Sequence, residues 1–420
     1  MTRRVVIIGA GTAGTLVANR LRRHTSPDVA ITVIDGDNEH VYQPGLLFVP
    51  FGLLPPDRLV RPRSAQLHAG VEFVRAEVDR VDLERDQVVL ADATAISFDV
   101  LVVASGARLM PEETEGLAEP DERVHTFYSL PGATKLAQAL DRFDRGRLVI
   151  NLVDLPIKCP VAPLEFCFLA DWYLHRRGIR DQVELTYVTP LDGAFTTPTA
   201  SEQLGGLLGR KSVRVVPEFA TAEVDHAGQR LVSFDEREVG YDLAVMVPVH
   251  GGAEYVTRSD GLGDALGFVA TDEATLQSKA KANVFAIGDA TDLRASKAGS
   301  VAHFEGEILV ANIEHYLAGR PLSARYDGHT NCFIETGFGR ALLIDFNYAH
   351  QPGTGHFPGP VGLPLLKESR LNHLGKLAFE RLYWHAILPG RPIPLIGGDM
   401  PTAGKNLQPA QRTAQSGGTR

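Results

Sequence analysis

The chain is poor in sulfur and, at one place, in glycine. Only three of its 420 residues are cysteine: Cys159, Cys167 and Cys332. That is too few for a framework of structural disulfides and suits a reducing compartment. No apolar run reaches the about 18 residues that a bilayer-spanning helix needs, so none is expected. No basic run offsets the net charge of −9, which argues against nucleic acid as a partner. Met1-Thr2-Arg3-Arg4 leads straight into the apolar run Val5–Ile8, without the apolar region and cleavage site of an export signal, so a cytoplasmic location is expected. The most informative absence is local. Residues 147 to 177 contain no glycine, although the chain has 41. This stretch opens what has the outline of a second nucleotide-binding unit.

The first such unit is complete. Val5-Val6-Ile7-Ile8 is an apolar strand, Gly9-Ala10-Gly11-Thr12-Ala13-Gly14 the turn, and Thr15–Arg23 the helix. A second strand, Ala30–Ile34, ends at Asp35, 21 residues beyond Gly14. Gly9 serves a tight turn, Gly11 the close approach of a pyrophosphate, and Gly14 the packing of helix on strand. Asp35 is placed to accept from ribose hydroxyls. The second unit has the strand Leu148–Val153, the helix Leu164–Arg176 and the strand Val183–Thr189. Between strand and helix, however, it reads Asp154-Leu155-Pro156-Ile157-Lys158-Cys159-Pro160, and its last strand ends in Thr189-Pro190 rather than an acid. A pyrophosphate over a helix N-terminus needs glycines. Both halves of a nicotinamide site are therefore missing, and a thiol stands where the phosphate would lie.

Two further strands run into small-residue turns: Asp99–Val103 into Ala104-Ser105-Gly106-Ala107-Arg108, and Asn283–Ile287 into Gly288-Asp289-Ala290. With the amino-terminal fingerprint they resemble the three FAD contacts of flavoproteins with two dinucleotide-binding domains. The resemblance implies an α/β fold of two Rossmann-like domains, as in glutathione reductase, with a C-terminal amphipathic helical region. The expected division is 1–109 with 281–325 for the FAD domain, 110–280 for the degenerate second domain, 326–400 for a C-terminal redox and membrane-facing region, and 401–420 for a disordered polar tail.

Cys159 lies between Lys158 and Pro160, just ahead of a predicted helix. A neighbouring lysine and a helix N-terminus both favour the thiolate. Cys332 lies in Tyr326-Asp327-Gly328-His329-Thr330-Asn331-Cys332, a loop feeding a strand pair at Ala341–Phe346. Spacing alone does not say whether the two thiols meet. The segments Pro156–Pro163 and Asp327–Cys332 resemble the two redox-cysteine segments of sulfide:quinone oxidoreductases. Tyr42-Gln43-Pro44-Gly45, Val245–Gly251 and the Gly288-Asp289 turn are similar to the same family, and the likeness runs over residues 3 to 395.

That resemblance implies non-covalent FAD, since no cysteine stands between Arg108 and Lys158 to bind it covalently. It implies that sulfide attacks a sulfur bridge between Cys159 and Cys332, leaving a persulfide, and that electrons pass through the flavin to a membrane quinone. The implied cofactor contacts are Gly9, Gly11, Thr12, Ala13, Gly14, Asp35, Gln43, Val78, Ser105, Gly106, Arg108, Gly288, Asp289, Lys297 and Gly299. Lys297 and Gly299 open the predicted helix Val301–Ala318, whose positive end would face the flavin; a solvent-facing lysine is the other reading of Lys297. His303 and Glu305 are proton-relay candidates by proximity alone. Cys167 also has two readings, a redox role as in a related subgroup with selenocysteine there, or a core thiol in Phe166-Cys167-Phe168-Leu169. Eight helical residues would hold it about 12 Å from Cys159, too far for a disulfide.

Residues 371 to 388 form an amphipathic stripe, with Lys376, Arg381 and His385 set on its other side. Packing on its own domain is the ordinary use of such a helix. The resemblance implies instead a helix on the bilayer surface, at the cytoplasmic face of the cell membrane, with Phe379 and Tyr383 at the quinone entrance. The Gly- and Pro-rich residues 350–364 are expected as loop, and self-association follows by analogy. Alternatives are a type II NADH:quinone oxidoreductase, which needs the missing glycine turn, a flavocytochrome-type sulfide dehydrogenase, which is exported, and a flavin redox or sulfide sensor without turnover.

Overall fold

A computed structural model describes residues 2–394 and 396–410. The first strand β1 (Arg3–Ile8) is fully buried over its last four residues and runs into helix α1 (Thr12–His24). The chain returns through β2 (Val29–Asp35), β3 (Glu72–Arg75) and β4 (Val100–Val103). A second series follows: β5 (Val124–His125), β6 (Gly146–Leu152), helix α2 (Ala162–Arg176), β7 (Val183–Val188), β8 (Val213–Val216) and β9 (Leu243–Val247). Then come β10 (Val284–Ala286), helix α3 (Gly299–Leu317), the hairpin β11 (Thr330–Gly337) and β12 (Arg340–Phe346), and helix α4 (Arg370–Leu382).

Two parallel five-stranded sheets organise these elements. Their orders, β10-β4-β1-β2-β3 and β5-β9-β6-β7-β8, follow one plan. In both, the βαβ unit places its first strand at the sheet centre. The near-continuous apolar strands VLVV in β4 and LAVMV in β9 are buried throughout, as parallel strands covered on both faces must be. The second unit has therefore kept the topology of the first while losing its glycines. Strand β10 joins the first sheet from far along the chain, so the Gly288-Asp289 turn lies beside the amino-terminal turn. Such turns at the carboxyl ends of parallel strands are where ligands bind in open α/β sheets.

The C-terminal part departs from the sequence reading in two places. Within the expected loop 350–364, His350–Gln351 pairs with Gln408–Pro409, and Gly355–Phe357 pairs with Leu363–Leu365. Residues 401–410, assigned above to a disordered tail, are thus held by strand pairing, and the Lys405 ammonium reaches buried Asp345. A charge satisfied in the interior orders polar chain that composition marks as loose. Residues 411–420 of that tail lie outside the described residues.

Candidate active site

The amino-terminal turn has the shape its glycines require. Gly9 adopts φ +103°, and a Cβ there would come 2.4 Å from the Ala104 carbonyl oxygen; one on Gly14 would come 1.8 Å from the Gly9 oxygen. Gly11 and Gly106 differ: a Cβ on either meets nothing within 4 Å, and on Gly299 only the Thr12 methyl at 3.9 Å. Bare backbone thus borders open space on the first turn, on the turn after β4 and at the start of α3. Such a cradle fits the diphosphate of a dinucleotide. Asp35 Oδ2 accepts the Ala10 N–H at 2.7 Å, and Arg63 lies 3.5 Å from the same oxygen, so the carboxylate is held at the rim of the turn. Ser105 Oγ accepts from the Tyr255 hydroxyl at 3.0 Å. Gly288, at φ +68°, packs on Ala13, and its N–H donates to Glu305 Oε2 at 2.7 Å. Burial holds the Asp289 carboxyl above its ordinary range against the pull of Lys297 and Lys158, and burial likewise lifts Glu305 to about 8. Arg108 pairs with Glu112 at 2.7 Å and leaves Nε buried without a partner among the described residues. Gln43 is exposed at the start of a 3-10 helix, and Val78 is half-buried where a short strand opens.

In the second unit the chain from Val153 to Val161 takes the place of the glycine turn, and the residue after β7 is buried Thr189, whose Oγ1 accepts the Leu191 N–H at 3.2 Å. No carboxylate stands there for a ribose.

Both cysteine segments dock on the start of α3. The Cys159 N–H donates to the Lys297 carbonyl at 2.6 Å, and the Lys158 and Lys297 backbones form a parallel bridge. From the other side, Ser300 Oγ donates to the Asn331 carbonyl, next to Cys332, at 2.6 Å. Four residues of α3 and its approach thus carry Cys159 and Cys332 to the turn that follows Gly288-Asp289. All three cysteines are free thiols, with Cys332 buried and Cys159 half-buried against the same apolar cluster. Burial pushes the Cys332 thiol up, and charge on Cys159 adds to the push.

The electrostatics of Cys159 correct the sequence reading. Its thiol is pushed up to about 12, by burial first and by the Glu165 charge next; the cation that opposes this is Lys376, not the adjacent Lys158. The helix terminus acts on the thiol only weakly: the Ala162 N–H lowers it, but less than Lys376 does. Cys159 has φ +48°, a left-handed conformation uncommon outside glycine, and its carbonyl accepts that same N–H at 2.8 Å. The Tyr128 hydroxyl donates to that same carbonyl at 3.3 Å. Cys167 lies wholly inside α2, and burial pushes its thiol up.

Lys297 is 6% exposed, which excludes the solvent-facing reading. Its ammonium donates to the carbonyls of Thr291 at 2.6 Å and Asp289 at 3.1 Å, and burial lowers its pKa. His303 and Glu305 are both buried on α3; burial brings His303 down to about 4.

Helix α4 turns its leucines outward, as a surface helix would and a helix packed on its own domain would not. Leu371, Leu374 and Leu377 are more than half exposed, while Asn372 and Lys376 face inward. Buried polar partners explain the inner face. Asn372 Nδ2 donates to the carbonyls of Pro364 and Lys367, and the Lys376 ammonium meets the Glu165 carboxylate. Phe379 remains half-buried. Tyr383, in a π-helical turn at the end of α4, is fully buried, its hydroxyl 2.7 Å from both Thr12 Oγ1 and His40 Nε2.

Sequence reasoning missed Glu165, Lys376, His40, Tyr128 and His250. Glu165 carried a signal: it is the one charge in the otherwise apolar run Val161–Ala170. His250 carried none; it is fully buried, its Nδ1 bonded to the Pro248 carbonyl and its Nε2 left without a partner among the described residues.

Residues 3–150 match the family described as pyridine nucleotide-disulphide oxidoreductase. The mitochondrial sulfide:quinone oxidoreductase of Dictyostelium discoideum is 29% identical over 399 residues, 92% of this chain and 86% of that protein. The mitochondrial enzyme of the same name from Mus musculus is 26% identical over 395 residues, again 92% and 86%. Among solved structures, the sulfide:quinone oxidoreductase of the hyperthermophilic bacterium Aquifex aeolicus superposes with a TM-score of 0.78 at 19% identity, covering 93% of this chain and 92% of that one, a likeness of fold.

Proposed function

We propose that the chain is a member of the sulfide:quinone oxidoreductase family, that it oxidises sulfide at Cys159 and Cys332 and that it delivers the electrons to a quinone. The observation that carries this reading is the docking of both cysteine segments on the Lys297–Ser300 turn at the mouth of the dinucleotide cradle. FAD, held by the glycine turns, Asp35 and the Gly288-Asp289 turn, supplies two-electron chemistry between sulfur and quinone. The residues do the rest. With the pair oxidised to a sulfur bridge, hydrosulfide attacks one sulfur; an S–S bond forms, the bridge bond breaks, and the other cysteine leaves as a thiolate. That thiolate needs stabilising where burial disfavours it. Sulfane sulfur then leaves the persulfide-bearing cysteine to a second nucleophile, such as another hydrosulfide. Cys167, wholly inside α2, is assigned to packing.

The second domain carries no turn for NADH, since Val153–Val161 lacks glycine and Thr189 replaces the acid. No described helix is long and apolar enough to cross a membrane. The exposed leucines of α4 support a peripheral site on a bilayer surface; we propose that this is the cytoplasmic face, with Phe379 and Tyr383 on the quinone side, and that the chain self-associates there.

The test is anaerobic. The purified yellow protein is mixed with sulfide, or with NADH, and the flavin absorbance followed. Bleaching by sulfide and recovery with a soluble quinone is expected, with Cys159→Ser and Cys332→Ser keeping FAD but losing turnover. Bleaching by NADH, or indifference to sulfide in the wild type, overturns the reading.

A further inference from the structure

Helix α4 turns one positive charge inward. The Lys376 ammonium meets Glu165 Oε1 and lies 3.2 Å from the Phe333 carbonyl, on the residue after Cys332. Glu165 Oε1 also accepts the Glu335 N–H at 2.6 Å. Phe333 and Glu335 belong to β11, the strand bearing Cys332, and Glu165 stands six residues after Cys159 on α2. The ion pair therefore touches both segments that deliver the thiols. Its side chains are 1% and 12% exposed. Burying a pair so deeply is costly, and apolar residues of like volume often do as well for stability. A functional reason is called for.

The charges around the sulfurs supply one. The charges that act on the Cys159 thiol are Glu165 of α2, Lys376 of α4 and Asp289 of the turn after β10, with the Tyr128 hydroxyl bonded to the Cys159 carbonyl; those that act on Cys332 are Cys159, Glu165, Lys376 and Asp345. Of these groups Lys376 is the one cation, and its own neighbours are Glu165, Cys159 and Glu335. At the rim, half-buried His373 is bonded to Glu335 Oε2 at 2.9 Å.

Resting on the sulfide-oxidising role above, we propose that Lys376 is a positioning residue of the cysteine pair: its ammonium stabilises the sulfur anion formed on Cys159 or Cys332, while Glu165 holds the ammonium in place and tempers its charge. The step it assists is loss of a proton from a thiol, or departure of a cysteine as thiolate when its S–S bond breaks. A nearby cation favours the anion and a nearby carboxylate disfavours it. Removing the two partners must then have opposite effects, which loss of packing cannot mimic.

The test is the pH dependence of alkylation at Cys159 and Cys332 in FAD-loaded protein, reduced, freed of reductant, treated with iodoacetamide and read by peptide mass spectrometry. Glu165→Gln is expected to move the Cys159 curve to lower pH and Lys376→Met to higher pH, each unit changing the rate at fixed pH by about tenfold. Lys376→Arg should stay near wild type. Two curves moving the same way, or neither moving, would overturn the proposal. If Lys376→Met fails to hold FAD, Glu165→Gln decides alone: an unmoved or raised curve sinks the idea. The assay uses neither sulfide nor quinone. Opposite shifts in a protein that sulfide does not bleach would uphold the charge arrangement and reject only the reaction.

Discussion

Replacing Tyr383 by phenylalanine should loosen FAD without unfolding the protein. Tyr383 is fully buried, and its hydroxyl lies 2.7 Å from both Thr12 Oγ1 and His40 Nε2. Burial brings His40 down to about 4, so its ring is neutral at pH 7. Nδ1 lies 3.2 Å from the Ala10 carbonyl, which can only accept, so Nδ1 carries the proton and Nε2 accepts from the phenol. The Thr12 hydroxyl then donates to the phenol oxygen. Tyr383→Phe leaves ring packing intact but strands a buried nitrogen, at about 1–3 kcal/mol, and removes a second hydrogen bond worth about 1 kcal/mol. The sum is about 2–4 kcal/mol, and it falls on Thr12 and Ala10, inside the phosphate-binding turn. If most of it is felt there, FAD binds about 30- to 1,000-fold more weakly. Fluorescence titration of the apoprotein with FAD measures this directly, and far-UV circular dichroism checks that the fold persists. A Tyr383→Phe protein that binds FAD as tightly as wild type would refute the reasoning, because it would mean that the end of α4 does not brace the turn.

Acid should destabilise the protein through its buried histidines. His40 and His303 are held near 4 and His250 near 3 against an ordinary value near 6.5, so from pH 7 to 5 the unfolded chain gains protons that the folded one refuses, costing roughly 2 kcal/mol for each histidine. Glu305, raised to about 8, works the other way: it is protonated in the fold and ionised in the unfolded chain over that window, so its contribution grows by roughly 2–3 kcal/mol as pH falls. Urea midpoints should therefore drop between pH 7 and 5 in wild type and more steeply in Glu305→Gln; equal slopes would contradict the assignment. Gly11→Ala should fold and bind FAD poorly, since its Cβ meets only open space, whereas Gly14→Ala, with a Cβ 1.8 Å from the Gly9 oxygen, should yield little soluble protein. Replacing Leu371, Leu374 and Leu377 together by serine removes three half-exposed apolar side chains, each contributing about 1 kcal/mol on insertion, and should lower liposome binding about 100-fold in flotation assays while leaving sulfide bleaching intact. Unchanged flotation would reject α4 as the bilayer face.

Most of the frame was legible because it rests on local pattern. The apolar runs at Val5–Ile8, Leu148–Val153 and Val183–Thr189 gave strands within a residue or two of those observed, and the helices differed only at their ends. The glycine turns could be identified because their steric demand is written in the residues themselves. What failed depended on long-range contact. Lys158 is next to Cys159 in sequence, yet the cation acting on the thiol is Lys376, 217 residues away. Pattern alone would have packed the leucine stripe of helix α4 on a core, and only the resemblance pointed it outward. Nothing local says that Glu165 waits inside for Lys376. The order of residues 401–410 was hidden for the same reason, since Lys405 is polar until Asp345 is seen beneath it.

The polar inner face of α4 and the loss of glycine from the second unit are two sides of one arrangement. In a unit that binds a phosphate, the helix N-terminus after the first strand is spent on the anion. Here the N–H of Ala162 goes to the Cys159 carbonyl and lowers the thiol only weakly. The sulfur anion needed by the chemistry draws more of its positive charge from α4, which brings Lys376. The price is that Lys376 and Asn372 occupy the inner face, so the leucines have nowhere to go but outward. An exposed apolar stripe on an otherwise ordinary chain is thereby tied to the cysteine site by the geometry of one helix. A single Lys376→Leu change, which would suit a buried helix face by pattern alone, should then leave the leucine stripe where it is, weaken the thiol chemistry and lower stability by leaving Glu165 buried without its partner.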